Sequence, residues 1–198
     1  MDFMGDFPVK KCYYLQMEGE GENDASFEKF VWKKNIPPKV SFMLWACFHD
    51  SLSTLSMLQH RGVEIQSVIC PICKREVEDS DHLLVSCSYA FEVWTHFINS
   101  FKVSWFAPNT VKGFFEAWSL NNLPGRCKEV WWKTIYGVIW HLWKERSKRV
   151  HNGGRHKEAA KLIMIVKQTI ALSFFDKDVF RGFSVNQILF QWDTILHT

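Results

Sequence analysis

Long apolar runs are scarce in this chain. The longest uncharged one, Val40 to Phe48, is half of what a bilayer crossing requires. The N-terminus is acidic and has no apolar stretch of signal-peptide type, so neither a membrane protein nor a secreted precursor is expected. There is no Gly-rich phosphate loop and no Ser-His-Asp order, so nucleotide-cradling and serine-hydrolase chemistry lack their basic parts. Internal repeats and low-complexity tracts are missing too, and strand signals are weak.

What the chain does have is aromatic mass. With 198 residues, 47% of them hydrophobic, and with ten Trp and seventeen Phe, it can bury one sizeable core or two small ones. Of six cysteines, three fall in one motif, while Cys12, Cys47 and Cys127 are scattered singly. That usage fits a reducing, intracellular compartment, nuclear or cytoplasmic. Net charge is +3, unevenly spread. Residues 1–28 hold two Lys against seven Asp or Glu, and residues 126–161 hold ten Lys or Arg against three Glu. The second half is thus suited to an anionic partner.

The motif is CPICKREVEDSDHLLVSC, residues 70–87, which offers Cys70, Cys73, His82 and Cys87 as Cys-x2-Cys-x8-His-x4-Cys. Three thiolates and an imidazole make a closed tetrahedral zinc set, about 2.3 Å from each sulfur to the metal. Pro71 pre-sets the turn between the first two ligands. A thioredoxin-type redox pair would require a βαβ setting, and an acidic, weakly periodic stretch follows instead. With four ligand positions filled, one structural Zn2+ is expected and no open position for catalysis. Asp79, Ser80 and Asp81 are good cap types for a short helix beginning near His82. On an unbroken helix His82 and Cys87 would point to different faces, so the helix is expected to loosen around Ser86.

The rest reads as helices, and the fold class is mainly α, with a small β-hairpin at the first Cys pair. Residues 7–17 form a short amphipathic piece before an acidic linker. Helices are predicted from Ser26 to the Asn35-Ile36-Pro37-Pro38 stop, over Pro38 to His49, from Thr54 to Gly62, over Tyr89 to Phe101 and over Val111 to Leu120. Three more follow, over Cys127 to Val150, Lys157 to Phe175 and Val185 to His197. The Pro38 helix is apolar on nearly every side, which predicts full burial, Trp45 included, against the Trp-rich helix after residue 127. The expected division is a lead-in over residues 1–26, a zinc module over 27–102 and a basic, Trp-rich region over 103–198.

VWKKNIPPKVSFMLW, the Leu52…Thr54…Leu58…Arg61-Gly62 series and CPIC…EDSDHLLVSCSYAFEVW occur in that order. Together they resemble the zinc-binding domain that follows the reverse transcriptase of plant non-long-terminal-repeat retrotransposons. FPVKKCYYL resembles the lead-in to that module, and WHLWKERSKRV the Trp-rich basic helix after it. Asp79, Leu84 and Ser147 depart from the family pattern without touching a ligand. The resemblance implies derivation from a mobile element. It does not imply polymerase activity here, since such an active site needs paired Asp residues and no Asp-Asp occurs in the chain.

Asp176-Lys177-Asp178 and Glu78-Asp79-Ser80-Asp81 read as a solvated turn and a cap region. His49, His60, His96 and His197 read as satisfied histidines rather than ligands. The expected function is a non-catalytic, zinc-binding module for single-stranded RNA or DNA. Its phosphate contacts would come from Lys133, Lys144, Lys148 and Arg149, with Trp140 as a stacking surface. The alternatives are a protein-interaction domain co-opted from a mobile element and a relic reading frame. Neither a membrane nor a small-molecule substrate is expected as a partner.

Overall fold

A computed structural model describes residues 25–151, 156–174 and 178–198. The amphipathic piece expected at residues 7–17 lies outside them. Among the described residues the architecture is all helical: α1 (Ala25–Val31), α2 (Pro38–Phe48), α3 (Leu55–His60), α4 (Ser88–Ser100), α5 (Val111–Leu120), α6 (Gly125–His151), α7 (Ala159–Ser173), α8 (Val185–Phe190) and α9 (Trp192–Leu196). A π turn (His82–Ser86) and a 3-10 turn (Asp178–Phe180) complete it. The expected hairpin reduces to one antiparallel bridge, Ile69 with Val77.

Local chemistry sets most of these boundaries. Pro37 accepts from the N–H groups of Val40 and Ser41, which starts α2. The Thr54 side chain accepts from Met57 N–H to cap α3, and Gly62, at φ +79°, ends the turn beyond it. Thr110 caps α5 through Gly113 N–H, and Ser184 with Gln187 forms a capping box on α8. The helix predicted over Val185–His197 is in fact two. Gln191, at φ −113° and ψ 29°, leaves helical geometry and breaks it.

The 27-residue α6 is the spine, about 40 Å long at 1.5 Å per residue. Its Trp131 ring stacks on Trp118 of α5, with centroids 3.6 Å apart and planes at 11°, and the Trp131 indole donates to the Trp118 carbonyl. Trp94, Trp105 and Phe114 surround that pair. α7 packs along α6 past Gly137, where a Cβ would stand in ordinary van der Waals contact with Val166 Cγ1, at 3.4 Å. The end of the chain is fastened to the start of α6. Arg126 donates to the carbonyls of Val179 and Ile195 and to Thr198 Oγ1.

Two expectations about α2 need correction. It packs chiefly on α1 and α5, and meets α6 at a margin where Lys39 lies over the Trp140 ring. Nor is it buried all round: Phe42 is 64% exposed, and Trp45 is half-buried between the rings of Phe42 and His49. A helix at the margin of the core buries one flank however apolar the other is.

Candidate metal centre

The knuckle begins with a tight turn. Lys74 N–H donates to Cys70 O at 2.9 Å, and Cys70 N–H donates to Glu76 O at 2.7 Å. Closing this turn puts Lys74 at φ +60°, a left-handed position that a side chain occupies only at a cost. The third and fourth ligand positions come from the π turn. Asp79 Oδ1 accepts from His82 N–H at 2.6 Å and anchors its start. Cys87 N–H then donates to His82 O at 2.7 Å, an i to i+5 bond. The widened turn brings residues five apart to one side, which a regular α turn does not.

The four donor atoms of Cys70, Cys73, His82 and Cys87 lie within 4.8 Å of one another. Cys73 Sγ is 3.3 Å from His82 Nε2. Neighbouring ligands of a tetrahedral zinc stand about 3.5–4 Å apart, given metal–ligand bonds of about 2.0–2.3 Å. Cys70, His82 and Cys87 are buried and Cys73 is half-buried. The other imidazole nitrogen, His82 Nδ1, lies 3.3 Å from a carboxylate oxygen of exposed Glu76, somewhat off hydrogen-bond geometry. That is where an orienting partner for a ligating His belongs.

The sulfurs are strongly coupled. Cys70 donates to Cys87, which, with burial, pushes the Cys70 thiol up. The same bond holds Cys87 below its ordinary value, helped by the N–H groups of Tyr89 and Ala90 at the start of α4. Three thiolates this close repel one another unless a cation sits between them. A soft divalent ion is the chemistry this donor set suits.

A buried carboxylate carries the knuckle onto the helical core. Glu78, fully buried, accepts from Leu55 N–H at 2.8 Å, so it caps α3 from a distance in sequence. Arg146 of α6, 3% exposed, meets both oxygens of Glu78, with its closest contact at 2.6 Å. One turn along, Arg149 donates to Glu145 Oε1, to Ile72 O inside the knuckle and to Lys157 O. Burial acts to raise the Glu145 carboxyl, but hydrogen bonds from Lys157 N–H and Arg149 hold it below its ordinary range. Glu78 stood in the recognised motif, but nothing in the sequence showed its pairing with a residue 68 positions away.

The four basic residues singled out on α6 do not share one environment. Lys144 is exposed and Lys148 half-buried. Lys133 Nζ donates to Asn35 O at 2.6 Å. Arg149 is committed to the fold by the three bonds just described and lies over the Tyr89 ring. Trp140 is half-buried, with the Lys39 ammonium 5.2 Å from its ring centroid. Sequence reasoning passed over Lys34 and Lys39, although both lie in the quoted VWKKNIPPKV run.

No helix among the described residues is long and apolar enough to cross a membrane. A curated Arabidopsis thaliana protein whose name refers to ribonuclease H is 29% identical over 169 residues, covering 83% of this chain. The chain spans about a quarter of that relative's length. No solved structure matches it. Residues 7–94 match the family described as zinc-binding in reverse transcriptase. This stretch of the chain, which holds all four clustered Cys and His residues, is similar to that family.

Proposed function

We propose that the chain is a non-catalytic, zinc-stapled module that binds single-stranded nucleic acid within, or derived from, a retroelement protein. The observation carrying the metal assignment is the buried convergence of Cys70, Cys73, His82 and Cys87. Bound Zn2+ would offset two of the three thiolate charges and supply folding free energy on the order of 10 kcal/mol. It would have no open position for substrate, because the chain fills all four. Elemental analysis of reduced, purified protein should find one zinc per chain. Absence of zinc would refute the assignment.

The nucleic-acid part rests on the excess of Lys and Arg over residues 126–161. Fluorescence anisotropy with a labelled single-stranded oligonucleotide should show binding at low salt that weakens steeply as salt rises. No binding at low salt would leave the protein-interaction reading, which the exposed rings of Phe42, Phe91 and Phe106 favour.

A further inference from the structure

The turn between α1 and α2, the middle of α6 and the end of α7 enclose a cleft of about 700 Å³. Lys34, Lys39, Lys133 and Lys144 line it, and no Asp or Glu does. Trp140 and His141 line it as well. Each side of the cleft is held in place. Lys133 bonds Asn35 O across the α1–α2 turn, and Lys39 sits over the Trp140 ring. Thr169 of α7 donates its hydroxyl to Ile165 O, so His141 Nε2–H must be the donor in their 2.8 Å contact. Burial and the charges of Lys144, Lys157 and Lys39 push the His141 imidazole down to about 4. His141 therefore stays neutral at physiological pH and adds no charge of its own to the field of the four lysines.

We infer that this cleft is the strand-binding site, and that it takes the phosphodiester backbone of single-stranded RNA or DNA. The inference rests on the nucleic-acid reading above and relocates it. Phosphates enter a groove walled by three separate elements, and Lys34 and Lys39 join Lys144 as contacts. Arg149 has no part in it. Concentrated positive charge without a carboxylate is what a polyanion selects. The half-buried Trp140 gives the groove an apolar side, which sequence-tolerant strand binding uses.

The test compares two triple variants with equal loss of charge. One is Lys34→Gln/Lys39→Gln/Lys144→Gln, inside the cleft. The other is Lys74→Gln/Lys128→Gln/Lys161→Gln, at exposed positions outside it. Anisotropy with fluorescein-labelled oligo(U) of about 12 nucleotides should show the cleft variant at least about tenfold weaker. Its logarithmic salt slope should fall by about 2, since each phosphate contact on a single strand contributes about 0.7. The outside variant should bind nearly as wild type does. In parallel, the imidazole NMR titration of His141 should move to higher pH when the oligonucleotide is bound, because phosphates offset the lysines around it.

Equal weakening in the two variants, or an unmoved His141, would overturn the cleft while leaving nucleic-acid binding in place. A wild type that binds no oligonucleotide would remove both. Displacement of the oligonucleotide by a nucleoside monophosphate or poly-glutamate at equal charge concentration would also overturn it, in favour of a small nucleotide or an acidic protein segment.

Discussion

Lys74 shows how much the knuckle asks of one residue. Its φ of +60° is open to glycine without penalty and costs an L side chain about 1–2 kcal/mol. Lys74→Gly should therefore raise stability by about 1 kcal/mol, read as a higher denaturant midpoint with zinc bound. Glu78 is the opposite case. Glu78→Gln leaves the Arg146 guanidinium buried without its counter-charge, and losing one partner of such a pair costs about 3–5 kcal/mol. That is a large share of a typical domain's stability, so cooperative unfolding should come at much lower denaturant. His141 gives a pH signature. Its folded value of about 4 lies below the ordinary 6.5, so between those values the unfolded chain binds the extra proton. This contribution is fully present above pH 6.5 and is lost as pH falls towards 4. His141→Gln should flatten that part of the stability profile.

Among the helices, aromatic stacking separates burial from mere apolarity. Trp118 is fully buried and stacked on Trp131, so Trp118→Ala should cost about 3–5 kcal/mol in equilibrium denaturation. Trp45→Ala should cost clearly less, although the pattern of α2 had marked Trp45 as core. Periodicity reports how apolar a face is, not whether another element covers it, and that is why Phe42 was misplaced. The π turn was partly legible. Once His82 and Cys87 were taken as ligands, regular α geometry was excluded, and only the i to i+5 form remained unseen. The break at Gln191 had no local signal, since neither Gly nor Pro marks it. Arg149 was expected as a phosphate contact on a basic face. Its carbonyl partners, Ile72 and Lys157, become neighbours only when the knuckle docks on α6.

At the scale of the whole molecule, that docking ties the candidate metal site to distant structure. Glu78 with Arg146 and Ile72 with Arg149 fasten the knuckle to the last turns of α6, and Lys157 O joins the approach to α7 to the same guanidinium. Stripping zinc with a chelator should therefore expose more than residues 68–90. Hydrogen exchange should speed up for backbone amides over residues 145–151 and 156–160 as well. If exchange rises only within the knuckle, the two regions are energetically separate.

The same ion pair bears on how this unit can travel between proteins. The family match ends at Trp94, midway along α4, yet the Trp94 ring packs on Phe114 and Trp118 beyond that point. Glu78, inside the match, is balanced by Arg146, outside it. A recombination event that transplanted the matched stretch alone would carry away a buried anion and an uncovered indole, with nothing in the recipient to receive them. The packed unit is therefore longer than the matched stretch and takes in α5 and α6.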